Sequence, residues 1–327
     1  MLDSRERPFH CHHEKLVVVD DEIAFVGGID LTSYAGDRLD SPEHPMRGGV
    51  GWHDAAALVR GPAVADVAEH FLLRWRALTG ERDVTPQRPS QAGEVTVQLV
   101  RTVPERVYRA LLHGEFSILE AYLGALRSAE RLIYLENQFL WSPEIVAVLA
   151  GKLRRPPTDA FRLVVLLPAR ANDGQEDTRG QLAVLEEADG GAGRLLACCL
   201  YQRGPHPRPV YVHAKIGIVD DRWLTLGSAN LNEHSLFNDT EVNVVVPDPA
   251  LARTTRARLW SEHLEQTVDP DADARELVDD VWRPLAEEQL QRRQAGEPQT
   301  HHLVRLSKSS RRARALLGPI NGLLVDG

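Results

Sequence analysis

Two segments of the sequence carry the same pattern of ionisable residues: a histidine, a lysine two positions later and an aspartate five positions after the lysine. The offset between the copies is 200 residues at all three positions, and a Gly-Gly or Gly-Ser pair follows each copy. Matched spacing of this kind indicates an internal repeat rather than chance. The residues are His13, Lys15 and Asp20 in the first copy and His213, Lys215 and Asp220 in the second.

Two imidazoles and two ammonium groups from paired repeats suit the cleavage of a phosphodiester. The ammonium groups of Lys15 and Lys215 bind the non-bridging oxygens and offset charge as it builds on phosphorus. One histidine attacks phosphorus, while the other protonates the leaving alkoxide and then deprotonates the incoming water or alcohol. The attacking ring must be neutral and oriented by a carboxylate on its other nitrogen. Since the lysines supply the positive charge, we expect no metal and no cofactor.

The choice of lysine at these positions is itself informative. The chain has four lysines among its 38 basic residues, and two of the four stand in the repeated pattern. A lysine ammonium is a compact point charge for phosphate, whereas arginine is a wide planar fork. We infer that these two positions need the smaller group.

The elements that position these residues follow from periodicity. In "VYVHAKIGIVDD" (residues 210–221) strand alternation puts His213 and Lys215 on one face and the apolar residues on the other. From residue 95 onwards, apolar strands alternate with helical stretches, which is typical of an α/β fold with a mixed sheet flanked by helices.

Four regions are predicted along the chain. They are an incomplete N-terminal catalytic half (1–80), a linker (81–94), a C-terminal catalytic half (95–265) and a helical, basic C-terminal extension (266–327). Only twelve residues precede the first histidine of the pattern, whereas about 120 residues of strands and helices precede the second within its half. A sheet without its opening elements exposes a strand edge. We therefore expect an N-terminally truncated first half with an uncovered edge beside residues 14–19.

These motifs resemble those of the phospholipase D superfamily, whose mark is a duplicated His-x-Lys-x4-Asp followed by Gly-Ser or Gly-x-Asn. The resemblance implies a pseudo-symmetric duplicated fold with the active site between the two halves. It implies that His13 is the nucleophile and His213 the acid and base, although a near-symmetric site permits either order. It also implies a carboxylate partner, Glu241, after the second copy, and one after the first copy that is either Asp37 or Asp40. The matching positions after the two patterns are Gly27, Gly28 and Asp30, and Gly227, Ser228 and Asn230.

Three further stretches resemble the eukaryotic-type branch of that family. They are "YLENQFL" (134–140), "GWHDAAALVRGPAVADVAEHFLLRW" (51–75) and "DRLDSPEHP" (37–45), and the resemblance spans roughly residues 10–325. Asp30 stands where the pattern has asparagine and, with Asp40, Ser228, Asn230 and Glu241, is a candidate for the phosphate pocket. The candidates for lining the substrate pocket are Glu136, Asn137, Gln138 and His53.

Composition limits the partners. The net charge of −9 argues against a broad nucleic-acid-binding surface. No apolar run reaches the length of a membrane span, and no secretory signal is visible, so we expect a cytoplasmic protein. The basic residues within 305–327 predict peripheral contact with anionic lipid headgroups. The run "HCHH" (10–13) suggests zinc, but no second cluster at suitable spacing accompanies it.

The function expected from the resemblance is hydrolysis or transphosphatidylation of glycerophospholipids at a membrane surface, with water or a primary alcohol as acceptor. It proceeds through a phosphohistidine. The first alternative is a phosphatidyltransferase of the cardiolipin synthase type. The second is a phosphodiesterase acting on nucleic acid, which the acidic composition disfavours. The third is a truncated, catalytically impaired lipid-binding module.

Overall fold

The computed structural model describes residues 10–30, 43–44, 51–170 and 175–306, apart from the side chains of residues 175 and 176. Asp37, Asp40 and the part of the basic segment after residue 306 lie outside the described residues. The strands are β1 (Leu16–Val19), β2 (Ile23–Gly27), β3 (Gly51–His53), β4 (Ala56–Arg60), β5 (Gln98–Val103), β6 (Glu115–Phe116), β7 (Leu132–Glu136), β8 (Arg162–Leu166), β9 (Leu195–Tyr201), β10 (Pro209–Val212), β11 (Ile216–Val219), β12 (Trp223–Gly227), β13 (Glu241–Val246) and β14 (Leu303–Arg305). The α-helices are α1 (Ala63–Thr79), α2 (Ser117–Ser128), α3 (Pro143–Arg154), α4 (Gln175–Asp189), α5 (Pro249–Leu264), α6 (Ala274–Glu276) and α7 (Arg283–Ala295).

Local sequence explains several helix ends. Ser142 caps α3 by accepting a hydrogen bond from the backbone of Ile145, and Asp248 caps α5 through Leu251. Helix α1 ends at Gly80, which adopts the left-handed conformation with φ of 78°. Residues 80–97 then connect α1 to β5 without regular secondary structure.

Most strands of the described chain form one large mixed sheet, in the order β3-β10-β9-β8-β7-β11-β12-β13-β5-β6, with β14 also paired to β9. Strands β7, β8 and β9 are parallel, and the hairpins around β11, β12 and β13 are antiparallel. Helices α2, α3 and α4 cover one face with an apolar core, and α5 and α7 cover the other. The predicted α/β fold, a mixed sheet flanked by helices, is confirmed.

The repeat is visible in the backbone of both copies. Strands β1 and β2 form a hairpin with Val19 opposite Ile23, and β11 and β12 form one with Val219 opposite Trp223. Each hairpin turns through two aspartates with positive φ, at 53° and 56° in the first copy and 51° and 52° in the second. Aspartate tolerates this conformation better than most side chains. In each copy a third strand pairs with the second strand of the hairpin: β4 pairs with β2, and β13 pairs with β12.

The two copies differ in what surrounds them. Strand β1 is an edge of the three-stranded sheet β1-β2-β4, whereas its counterpart β11 pairs with β7. Val17, Val19, Phe25 and Leu58 of the small sheet are exposed. The uncovered edge expected beside residues 14–19 is therefore present in the described part of the chain.

The segment from residue 266 to residue 306 departs from the predicted extension. Trp282 is fully buried in the core beneath the large sheet, and β14 adds to that sheet through β9. This segment is an integral part of the second half. Among the described residues, no helix combines the length and the apolar character needed to cross a membrane.

Candidate active site

The backbone of each histidine is hydrogen-bonded to a residue in or next to a strand that follows the other copy of the pattern. The backbone N–H of His13 donates to the carbonyl of Thr240 at 3.1 Å, and that of His213 donates to the carbonyl of His53 at 2.8 Å. Strand β10, which leads into His213, runs parallel to β3. Glu241 follows Thr240 directly, and Asp54 follows His53 directly. Each histidine segment therefore lies next to a carboxylate residue from the other half.

Each imidazole is held at Nδ1 by a carboxylate from the other repeat. His13 Nδ1 lies 2.8 Å from Glu241 Oε1, and His213 Nδ1 lies 2.8 Å from Asp54 Oδ2. An ionised carboxylate only accepts, so both rings carry their proton on Nδ1 when neutral and keep Nε2 for chemistry. The result is a crossed pair of matching His–carboxylate units.

Asp54 is the carboxylate that the sequence interpretation missed. The resemblance gives Asp37 or Asp40 as the candidate after the first copy and Glu241 as the partner that follows the second copy. In the structure Asp54 serves His213, and Glu241 serves His13. The signal was present in the Trp-His-Asp stretch at 52–54, where we selected His53 instead of its neighbour.

Other polar groups hold both carboxylates. Glu241 is fully buried and accepts hydrogen bonds from the hydroxyls of Ser228 and Ser235. Ser228, a phosphate-pocket candidate, therefore supports the carboxylate. Asp54 accepts from the backbone of Ala55 at 2.8 Å and from Trp52 Nε1 at 3.3 Å.

The charges around Asp54 lower its pKa by more than burial raises it. Burial alone would raise the pKa of Asp54, but the hydrogen bond and charge of His213, with the charge of Lys215, lower it overall. Asp54 is thus ionised at neutral pH and able to orient the ring.

The pKa of His213 is lowered to about 4, chiefly because burial disfavours the imidazolium. The charge of Lys215 lowers it further, the Asp54 carboxylate opposes this, and the charge of Lys15 also contributes to the lowering. His213 is therefore neutral at neutral pH. The positive charge of Lys15, from the first copy, thus acts on His213 of the second copy.

The two lysines occupy equivalent positions. Lys15 Nζ donates to the carbonyl of His13 at 2.9 Å, and Lys215 Nζ donates to that of His213 at 2.5 Å. Asp30 Oδ1 lies 3.6 Å from Lys15 Nζ.

The segment after β7 contributes one side chain to this cluster. Gln138 Oε1 accepts from Lys215 Nζ at 3.2 Å and from Asn230 Nδ2 at 3.4 Å. Asn137, in contrast, accepts from the backbones of Phe139 and Leu231, so its contacts are with the main chain.

Glu136 and His53 lie in a buried network behind Asp54. Glu136 accepts from His53 Nε2 at 2.7 Å, from His263 Nε2 at 3.0 Å and from the hydroxyl of Tyr134. Burial opposes ionisation, but the two histidines lower the pKa of Glu136 well below its usual range. His263 lies in no recognised motif, and Tyr134 begins the stretch 134–140, within which only Glu136, Asn137 and Gln138 are candidates.

The aspartates of the pattern lie at the opposite ends of their strands from the histidines. The Asp220 carboxylate accepts three backbone hydrogen bonds, from Glu130 and Leu132 at 2.7 Å and from Arg131 at 2.8 Å. Asp20 occupies the equivalent turn after β1. Although we named both as catalytic, the structure does not bring them to the histidines, and Asp220 instead fastens the turn to β7.

Comparison with known proteins finds similarity to phospholipase D-like proteins. The family model described as "Cardiolipin synthase, PLD-like domain" matches residues 123–262. "Phospholipase D A" of Dictyostelium discoideum is 27% identical in an alignment that covers 78% of this chain and 27% of that protein. "Phospholipase D2" of Bos taurus is 25% identical, covering 85% of this chain and 44% of that protein. This chain thus spans between about a quarter and a half of the length of these relatives.

Among solved structures, "phosphatidylserine synthase Haemophilus influenzae Rd KW20" aligns with a TM-score of 0.54 at 14% identity, covering 78% of this chain and 61% of that one. At this identity the match supports the fold alone. Together, the family model over residues 123–262, the relatives and the duplicated motif support the resemblance of this chain to the phospholipase D superfamily.

Proposed function

We propose that the chain is a phospholipase D-type phosphodiesterase that hydrolyses or transphosphatidylates glycerophospholipids through a phosphohistidine. The observation that carries this proposal is the crossed pair of His–carboxylate units, each accompanied by a lysine. The names of the relatives supply the substrate class.

In the first step, Nε2 of the nucleophilic histidine attacks phosphorus, and the bond from phosphorus to the head-group oxygen breaks. We assign this attack to His13 by the resemblance. The proton for the leaving alkoxide comes from Nε2 of His213. The ammonium groups of Lys15 and Lys215 stabilise the charge on the non-bridging oxygens.

In the second step, water or a primary alcohol attacks the phosphohistidine. His213 Nε2 takes the proton of the incoming hydroxyl, the bond between His13 Nε2 and phosphorus breaks, and both rings return to their first state. The products are phosphatidic acid with water, or a new phosphatidyl ester with an alcohol. Glu241 and Asp54 hold the rings and stabilise the imidazolium forms.

The lowered pKa of His213 constrains this assignment. With a pKa of about 4, His213 is neutral in the empty site. It can supply the first proton because the negative charge of a bound diester stabilises its protonated form. The reverse order, with His213 as nucleophile, does not require His213 to be protonated. Mass spectrometry of the intermediate, quenched in alkaline denaturant because the P–N bond is labile in acid, separates the two orders, because the phosphatidyl group is then on His13 or on His213.

One alternative has a specific observation behind it. The matching family model is described as cardiolipin synthase-like, which fits a phosphatidyltransferase that uses a lipid alcohol as acceptor. The same two histidines would carry that reaction, and only the acceptor differs.

The test is head-group release from phosphatidylcholine vesicles, with and without ethanol. We expect choline and phosphatidic acid without ethanol, and phosphatidylethanol with it. His213→Ala should abolish turnover, whereas His206→Ala, at an exposed histidine, should not change it. Cardiolipin formed only from phosphatidylglycerol would favour the alternative. No turnover of any phospholipid by a folded chain would leave a lipid-binding module.

Membrane contact through residues 305–327 is a separate part of the proposal. It rests on the basic composition of that segment. Sedimentation with anionic vesicles should be weaker for a chain that lacks residues 307–327, and equal sedimentation would remove the idea.

A further inference from the structure

We propose that His44, His53 and Glu262 form a binding site for one divalent transition-metal ion, with Zn²⁺ as the best fit. Glu262 Oε1 lies 3.3 Å from His53 Nδ1 and 3.8 Å from His44 Nε2. All three ligand atoms lie within 4.8 Å of one another. The residues come from three places in the chain, namely the segment 43–44, strand β3 and helix α5.

The spacing suits a metal rather than direct hydrogen bonds. Zinc binds imidazole nitrogen and carboxylate oxygen at about 2.0–2.2 Å, so neighbouring ligands in a tetrahedron stand roughly 3.3–3.6 Å apart. The distances from Glu262 Oε1 are close to that spacing. Imidazole with one carboxylate is a donor set that zinc favours over magnesium or calcium.

The Glu262 carboxylate gives a second, independent indication. Its side chain is only 9% exposed, and Oε1 is buried without a hydrogen-bond donor among the described residues. A buried carboxylate oxygen that lacks a donor is strongly destabilising unless a cation is close to it. A bound metal ion meets that need directly.

The His53 ring is held as metal-bound histidines usually are. Its Nε2 lies 2.7 Å from the Glu136 carboxylate, which also accepts from His263 and Tyr134. With Nε2 directed at Glu136, the nitrogen directed at Glu262 is Nδ1, which lies 3.3 Å from Oε1. A metal ion bound by both atoms fits this spacing.

Two neighbouring clusters fit a metal less well. Glu136 already accepts direct hydrogen bonds from His53 at 2.7 Å and His263 at 3.0 Å. Glu265 likewise accepts from His302 Nδ1 at 2.7 Å and is more exposed than Glu262. Direct hydrogen bonds of this length leave no room for an ion between the same atoms.

The consequence is structural. A metal ion here connects β3 and residues 43–44 to α5, and β3 leads directly into Asp54. The site therefore stabilises the strand that supports the carboxylate of His213. We assign the ion no step in the chemistry of the two reacting imidazoles.

The test uses the purified full chain, freed of metal by chelation and then titrated with Zn²⁺. Calorimetry and elemental analysis after dialysis should give about one zinc per chain. Glu262→Gln should weaken the affinity at least about tenfold. The matched change Glu265→Gln, in the neighbouring cluster, should leave it unchanged. Circular dichroism checks folding, and His44→Gln replaces Glu262→Gln if the latter unfolds.

Three outcomes would overturn the site. They are a wild-type chain that retains no zinc, equal zinc affinity in folded Glu262→Gln and wild type, and loss of zinc with Glu265→Gln alone. Equal affinity would assign the zinc to other histidines, such as those at positions 10–13. The readout is independent of phospholipid turnover, so it holds whether or not the proposed function is correct.

Discussion

The replacement Asp220→Ala tests whether this aspartate is catalytic or structural. The resemblance named Asp220 as catalytic, but its carboxylate accepts three backbone hydrogen bonds from Glu130, Arg131 and Leu132. Alanine removes both carboxylate oxygens and with them all three hydrogen bonds. We therefore expect a large loss of stability and little change in the activity of the molecules that remain folded.

The magnitude follows from these contacts. A hydrogen bond to a charged group contributes about 1.5–3 kcal/mol when buried, but water can replace the acceptor for exposed amides. Glu130 and Arg131 are exposed and Leu132 is buried, so the three bonds contribute about 3 kcal/mol together. Asp220 also has φ of 51°, where alanine costs about 1 kcal/mol. The expected total is about 3–4 kcal/mol.

Urea unfolding followed by tryptophan fluorescence measures the loss, and choline release under conditions where the variant is folded measures activity. Asp271→Ala is the control, because that side chain is 79% exposed and pairs with a surface arginine. It should lose less than about 0.5 kcal/mol. The reasoning is refuted if Asp220→Ala keeps wild-type stability, or if turnover by the folded variant falls a hundredfold.

Three other predictions concern the histidine pair. Asp54→Asn should lower kcat by about 10²–10⁴-fold without weakening vesicle binding, because an amide no longer fixes the Nδ1–H tautomer of His213. An unchanged kcat would contradict the pairing of Asp54 with His213. The pKa of His213 is lowered from 6.5 to about 4. Between these pH values the unfolded chain binds more protons at His213 than the folded chain does. His213 therefore makes the free energy of unfolding rise as the pH increases from about 4 to 6.5. The rise amounts to at most about 3 kcal/mol, and His213→Gln should flatten it in urea titrations between pH 4.5 and 7, whereas an equal slope in both chains would refute the shift. A Cβ at Gly28 would lie 2.3 Å from Asp54 Oδ1. Gly28→Ala should therefore displace that carboxylate and reduce kcat at least about tenfold. The control is Gly124→Ala, whose added Cβ would have no neighbouring atom within 4 Å, and it should retain full activity.

Local patterns predicted the parts of the site that lie within each repeat. The spacing of His13 and Lys15 recurs at His213 and Lys215, and the structure builds both pairs on equivalent hairpins with matching backbone contacts. The mixed α/β sheet likewise followed from apolar strands alternating with helices.

The parts that were missed depend on contacts between distant segments. Asp54 reaches His213 because β3 pairs with β10 across about 160 residues, and no local pattern specifies that register. The partners of Asp220 are backbone amides near residue 131, which any side chains could present. The burial of Trp282 depended on the packing of α5 and α7 beneath the sheet.

The central claim is that His13 and His213 act on one phosphorus atom from opposite sides, each held by the other half's carboxylate. A crystal structure of the chain soaked with inorganic phosphate tests it most directly. We predict one phosphate whose oxygens lie within hydrogen-bond distance of Nε2 of both rings and of both lysine Nζ atoms, with the bonds to Glu241 and Asp54 intact. Two phosphates in separate pockets, each contacting one ring, would contradict the account.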